Sequence, residues 1–211
     1  LSSSVECIFF TDKFYKKNQS DLKGFGIIDN SLIHIISDAK FKKISSTSTP
    51  SGVAALCRMI KSNDVNLEEP IWIYLDKISD PGNLGTIMRS SSWFGIKNII
   101  LSAGSVDPYN PKTVRAGMGA HFGVNIYQNV ELNKFVNTHT IISGSKDGKN
   151  ISNFKFPKKS VLVLGNEAHG ISKDIERLIQ QTLTIKKIGI GESLNLASAA
   201  SILMYALTNN H

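Results

Sequence analysis

The stretch Ile71-Trp72-Ile73-Tyr74-Leu75-Asp76-Lys77-Ile78-Ser79-Asp80-Pro81-Gly82-Asn83-Leu84-Gly85 decides the fold. Its first five residues are apolar, as in a short buried strand. Asp80-Pro81-Gly82 makes a turn, and the pattern predicts a helix over 83–94 with Asn83 where a cap would sit. Arg89 falls about one and a half turns further on. Alone, these residues read more readily as a helix cap and a surface ion pair than as a binding site.

Working outward, the strand–loop–helix pattern repeats. Strands are expected at 98–101, 124–127, 140–143, 161–164 and 183–185. Helices are expected at 111–118 with Pro at the first turn, at 172–181 with Ser172 as cap, and at 193–207 with Ser193 as cap. Apolar strands separated by helices imply an α/β fold, a mostly parallel sheet covered on both faces. Ligands of such sheets bind beyond the carboxyl ends of the strands.

A second, smaller α/β unit precedes it. Strands are expected at 5–10, 32–36 and 53–59, with helix and loop over 14–23. Ser37-Asp38 caps a short helix carrying Phe41 and Ile44, and the Ser/Thr-rich stretch 45–52 is a loop. The polar stretch 60–70, ending in Pro70, marks a boundary. The expected organisation is therefore a domain at 1–60, a linker at 61–70 and a domain at 71–211. The chain enters an apolar strand-like run at 1–10 without a Met, which reads as a start inside a domain.

Lys and Arg number 24 against 17 Asp and Glu, and this surplus fits a polyanionic partner such as RNA or DNA. Two cysteines, Cys7 and Cys57, make no C-x-x-C pair, and five scattered histidines lack ligand spacing, so no metal is expected. No P-loop, no G-x-S-x-G elbow and no G-x-G-x-x-G after a first strand is present. The longest nearly apolar run, 194–207, contains Asn195, Ser198 and Ser201 and is too short to span a bilayer. A cytoplasmic protein is expected.

Three loops at strand ends carry unusual residues. Beside 76–85 stands Leu164-Gly165-Asn166-Glu167-Ala168-His169-Gly170, whose glycines allow close backbone approach. Glu167 there could bind a ribose hydroxyl or cap the next helix. His169 could be a base, although a lone His in a glycine turn is more often idle. The third loop ends in Gly191-Glu192-Ser193-Leu194-Asn195-Leu196, more polar groups than one helix cap needs.

Taken in this order, the loops resemble those of the SpoU (TrmH-like) family of RNA 2′-O-methyltransferases, in the SPOUT superfamily. The resemblance rests on Asp80-Pro81-Gly82-Asn83-Leu84-Gly85 with Arg89, on the loop around Glu167, and on Ser193-Leu194-Asn195-Leu196-Ala197-Ser198. Val114-Arg115-Ala116-Gly117-Met118-Gly119-Ala120 also matches. The similarity covers 71–207. More weakly, residues 5–59 resemble a ribosomal-protein-like RNA-binding domain that lacks its first helix or so. Two departures stand out: Ala168 where the family usually has Gly, and Lys186-Lys187 where it usually has Pro-Met.

The resemblance implies a C-terminal SPOUT domain with a deep trefoil knot, a homodimer, and S-adenosyl-L-methionine as cofactor. It implies cofactor contacts, largely main-chain, at Ser143, Gly144, Leu164, Gly165, Ile185 and Leu194. It also implies a catalytic set of Arg89, Asn83, Glu167, Ser193 and Asn195. Arg115 is expected to touch RNA phosphate, and Lys42 and Lys43 belong to a basic N-terminal surface suited to RNA capture. The expected reaction is methylation of a ribose 2′-hydroxyl, with ribosomal RNA ahead of transfer RNA. Alternatives are a non-catalytic RNA-binding protein of the same fold and an RNA base methyltransferase.

Overall fold

The structure, a computed structural model, describes residues 5–24, 29–59 and 64–209. The expected run at 1–4 and the boundary residues 60–63 lie outside the described residues. The chain divides into two compact units, 1–61 and 62–211.

The first unit holds β1 (Val5–Thr11), β2 (Ile33–Ile36) and β3 (Val53–Cys57) in the order β2-β1-β3, with β2 parallel and β3 antiparallel to β1. Residues 14–23 fall in two short helices, α1 (Asp12–Lys17) and α2 (Gln19–Gly24). Helix α3 (Asp38–Ile44) starts where expected: the Ser37 hydroxyl accepts from the Lys40 N–H. It buries Phe41 with Ile8 and Phe10. Leu32 closes a 3-10 turn instead of opening the strand, and β3 stops at Cys57, short of Met59.

In the second unit, six parallel strands lie in the order β6-β5-β4-β8-β7-β9. They are β4 (Ile71–Leu75), β5 (Asn98–Leu101), β6 (Asn125–Gln128), β7 (Thr140–Asn150), β8 (Ser160–Leu164) and β9 (Gln181–Thr184). The run at 71–75 is apolar throughout because β4 is covered on both faces. Ile73 and Leu75 join one core cluster, and Trp72 and Tyr74 the other, with Phe135 and Tyr127. Burying each such side chain contributes about 1.5–3 kcal/mol.

Helices α4 (Pro81–Trp93), α5 (Pro111–Gly117), α6 (Lys173–Glu176) and α7 (Leu196–Asn209) complete the unit. Helix α4 packs against α5 at Gly85, where a Cβ would lie 2.6 Å from the Thr113 carbonyl oxygen. Against α7 it makes a Ser90–Ser201 hydroxyl contact of 2.8 Å. Residues just before β4 are pinned to its sheet: the Trp72 indole N–H donates to the Glu69 carbonyl at 3.0 Å, and Lys159 pairs with Glu68 at 2.8 Å.

Four local expectations are corrected. Asp80, not Asn83, caps α4: its carboxylate accepts from the Asn83 N–H at 2.7 Å, because Pro81 occupies the first helical position. Asn195, not Ser193, caps α7, accepting from the Ala197 and Ser198 N–H groups at 2.9 and 3.2 Å. The helix expected at 172–181 is the single turn α6. Gln180 is drawn away to β7, exchanging hydrogen bonds with Ile141, and Gln181 begins β9. Helix α5 ends at Gly117 because Met118 turns left-handed at φ 48°.

Candidate active site

The carboxyl end of β4 carries Asp76, only 2% exposed. Its two oxygens accept from the Ser172 N–H at 2.7 Å and the Ser102 hydroxyl at 3.3 Å. One buried charge thus ties together the loops leaving β4, β5 and β8. That leaves residues 77–80 held where the loop after β8 can reach them. Asn166 reinforces the contact, its amide donating to the Lys77 carbonyl at 2.7 Å. The Asn166 side-chain oxygen accepts from the N–H groups of Ala168 and His169, an Asx turn that shapes the 166–170 loop. Ala168 has a negative φ, so its methyl costs nothing there.

Glu167 is the centre of the cluster. One oxygen accepts from the Ser79 hydroxyl (2.9 Å) and N–H (3.3 Å), the other from the Asp80 N–H (3.2 Å) and the Asn83 amide (3.1 Å). The Asn83 side-chain oxygen in turn accepts from the Asn195 amide at 3.0 Å. Capping by Asp80 uses only the backbone N–H of Asn83, which frees its side chain for both contacts. Asn195 does double duty, capping α7 through its oxygen while reaching Asn83 through its nitrogen. Lys112 closes the outer side, 3.3 Å from Asp80.

Partial burial pushes the Glu167 carboxyl upward, but hydrogen bonds from Asn83, its own N–H and Ser79 outweigh it and hold the group below its usual 4.5. Asp80 is likewise lowered, first by the Asn83 N–H and also by Lys112. Glu167 is therefore an anion throughout the neutral range and already saturated with donors, so it holds loops and does not shuttle protons. A depressed native pKa stabilises above the unfolded value, and that stability is lost as pH falls through the native one. We expect the stability difference between wild type and Glu167→Gln to be constant from pH 8 to about pH 5 and to shrink below 4.5. Chemical denaturation across that range checks it.

Of the expected catalytic residues, Asn83, Glu167 and Asn195 come together. Arg89 does not join their hydrogen bonds: it is exposed on α4, with no ion pair or hydrogen bond among the described residues. Ser193 is exposed in the loop before α7 and is likewise unbonded. Arg115 lies in the last turn of α5; Lys42 and Lys43 lie exposed in the last turn of α3, in the first unit. The His169 ring is exposed.

Five of the six expected cofactor residues lie on three adjacent strands: Ser143 and Gly144 within β7, where its pairing with β8 ends, Leu164 and Gly165 at the carboxyl end of β8, and Ile185 just past that of β9. Leu194 is half exposed in the loop that follows. Packing is close at both glycines, against backbone at Gly165 and against the tip of a side chain at Gly144. A Cβ on Gly165 would lie 2.3 Å from the Gly170 carbonyl carbon, and one on Gly144 would lie 2.7 Å from Leu203. The loop 186–195 is exposed along its length. Two open hollows of about 550 and 450 Å3, lined by residues such as Val65 and Lys134 or Thr138 and Lys158, lie apart from these strand ends.

Ser79, Asp80, Asn166 and Lys112 also belong to the cluster, although sequence reasoning gave them no role there. The one available signal was Asn166, an Asx-turn former beside a glycine. Among the described residues no group of acidic, His or Cys side chains could hold a metal, and no helix is long and apolar enough to cross a membrane.

Comparison with known proteins adds three findings. The sequence pattern of the SpoU rRNA methylase family matches residues 70–205. A 23S rRNA (guanosine(2553)-2′-O)-methyltransferase of Bacillus subtilis is 29% identical over 179 residues, 82% of this chain and 71% of that one. The mouse mitochondrial rRNA methyltransferase 3 is 32% identical over 64% of this chain, which spans 46% of its length. Among solved structures, a TrmH-family protein from Porphyromonas gingivalis superposes with a TM-score of 0.81 at 28% identity, covering 97% of this chain and 82% of that one. An AdoMet-bound rRNA methyltransferase from Sinorhizobium meliloti gives 0.78 at 25%, covering 97% and 79%.

Proposed function

Because the chain belongs to the SpoU rRNA methylase family, we propose that it methylates a ribose 2′-hydroxyl of structured RNA, ribosomal RNA ahead of transfer RNA, using S-adenosyl-L-methionine. The observation that carries this reading is the cluster in which Glu167 gathers Ser79, Asp80 and Asn83, and Asn83 receives Asn195. It lies in the loops after β4 and β8, next to the strands to which we assign the cofactor. Main-chain groups at Ser143, Gly144, Leu164, Gly165 and Ile185 would hold the nucleoside, and Leu164, Ile185 and Leu194 offer apolar cover. The loop at Gly165 is too closely packed against the Gly170 and Ile171 backbone for a side chain, which suits main-chain recognition.

When bound, the cofactor supplies a sulfonium methyl, an electrophile for in-line attack. The residues of this chain supply position. Arg89 has no partner among the described residues and is free to take the phosphate beside the reacting ribose; its planar fork of N–H donors suits a clamp on that phosphate. Asn83, Asn195 and Ser193 orient the ribose, and Glu167 fixes the loops that carry them. Arg115 contacts RNA phosphate, and the first unit, with Lys42 and Lys43, captures RNA in the cytoplasm.

The working form is a homodimer, supported by exposed Trp93 on α4 and Tyr205 and Ile202 on α7. A trefoil knot accords with the path of α7, which leaves the edge strand β9 yet packs on α4 and sets Leu203 against Gly144.

Tritium transfer from labelled cofactor to ribosomal RNA tests the reading. Wild type should label RNA in a nuclease-resistant 2′-O-methyl dinucleotide, and Arg89→Ala should lose about 100-fold or more in turnover while keeping its melting temperature. Full turnover in Arg89→Ala, or label on a base, would refute it.

A further inference from the structure

Strand β7 does not end at the proposed cofactor site. It pairs with β9 as far as Gly144–Leu183, leaves register over 145–148, and pairs again at Lys149–Leu183 and Asn150–Thr184. The excursion is held tightly against β9. The Thr184 hydroxyl donates to the Lys146 carbonyl at 2.9 Å, and Lys149 Nζ donates to Gln181 at 2.8 Å. A Cβ on Gly148 would lie 2.6 Å from the Thr182 carbonyl oxygen. Strand β9 is the edge of the sheet and ends at Thr184, two residues before Lys186 and Lys187.

Four exposed lysines therefore belong to this side of the sheet: Lys146 and Lys149 on β7, tied to β9 by those hydrogen bonds, and Lys186 and Lys187 just past the end of β9. Two carboxylates, Asp147 and Glu192, stand among them in sequence. None of the four lysines is in an ion pair among the described residues; the five pairs there use Lys16, Arg58, Lys112, Lys159 and Arg177. Lys187 is committed to its own loop, donating to the Gly191 carbonyl at 2.7 Å, whereas the ammonium groups of Lys146 and Lys186 have no partner among the described residues. Lys146 stands two residues beyond Gly144 and Lys186 one beyond Ile185, so both flank the proposed cofactor crevice.

We propose that this edge is an RNA-phosphate track, in which Lys146 and Lys186, backed by Lys149 and Lys187, bind the backbone of the RNA strand entering the crevice. The inference rests on the RNA-methyltransferase reading above. A cofactor carboxylate would need one cation, whereas four lysines outside any recorded ion pair, against two carboxylates, leave a surplus that matches a polyanion. Placed here, they add affinity for the substrate strand next to the site of chemistry.

The test uses the full chain and a fluorescein-labelled RNA hairpin, titrated by anisotropy between 50 and 200 mM KCl, with calorimetric titration of S-adenosyl-L-methionine in parallel. A Lys146→Gln/Lys186→Gln double variant leaves every recorded side-chain hydrogen bond intact. It should lower the slope of log affinity against log salt by about 1.4–1.8, from roughly 0.7–0.9 per phosphate contact. Affinity at about 100 mM salt should fall about tenfold, cofactor affinity should stay within about twofold, and the Lys→Arg double variant should restore the slope. An unchanged slope, in a preparation whose wild type binds the hairpin, overturns the track. Loss of cofactor affinity with RNA affinity intact overturns it too, and assigns the lysines to the cofactor carboxylate. A wild type that binds no RNA overturns the underlying reading instead.

Discussion

Glu167→Ala is expected to lower single-turnover methyl transfer by about 100-fold or more, the cost of moving a reacting group by about an ångström. Among the described residues the carboxylate is the only acceptor for four donors contributed by Ser79, Asp80 and Asn83. Hydrogen bonds to a charged group contribute about 1.5–3 kcal/mol each, and truncation leaves all four donors to find water. With Glu167 gone, the Asn83 amide loses its anchor and the Asn83–Asn195 contact loses its fixed geometry. Glu167→Gln should fall between the two proteins, since its amide turns a donor toward groups that are themselves donors. Cofactor binding should change far less than turnover, because the cluster touches the strand ends only through loops. Rapid-quench transfer with calorimetry separates the two effects. Turnover within about threefold of wild type would remove Glu167 from the machinery.

Gly165→Ala should be the most damaging single methyl. Its Cβ would lie 2.3 Å from the Gly170 carbonyl carbon and 2.5 Å from the Ile171 nitrogen, both backbone atoms that no rotamer change can move. The Asn166–Gly170 pair of hydrogen bonds, 2.8 and 2.9 Å, would have to open. Overpacking of this kind costs about 1–3 kcal/mol, or more where backbone must shift. At about 2–4 °C per kcal/mol for a chain of this size, melting should drop by roughly 3–10 °C. Cofactor affinity should fall with it, since Leu164 and Gly165 form one wall of the proposed crevice. Gly189→Ala is the matched control: nothing lies within 4 Å of its Cβ, and the change should stay within about 0.5 kcal/mol. Equal melting temperatures for the two variants would contradict the packing seen at Gly165.

The parallel sheet was readable because β4, β5 and β8 are buried on both faces and are apolar beyond the Asn98 and Ser160 that open β5 and β8. The three polar loops were readable because strand ends collect them. What escaped was non-local. The second half of β7 pairs with Leu183 and Thr184 only after an excursion, and no periodicity marks such a return. Residues 172–181 look helical locally, yet Gln180 and Gln181 are claimed by β7 and β9. Cap choice failed at Asn83 and Ser193 for one reason: each neighbourhood offers several capping residues, and a partner from another loop decides which is used. Asn195 shows this most plainly, since the same side chain must also meet Asn83.

That meeting spans 112 positions of sequence. At about 5–20 residues per second, roughly 6–20 s of synthesis separate the emergence of Asn83 from that of Asn195. Throughout that interval a nascent chain can build β4, α4 and β5 yet possesses no complete site. A ribosome making this protein therefore carries a chain whose site stays incomplete until Asn195 has left the exit tunnel.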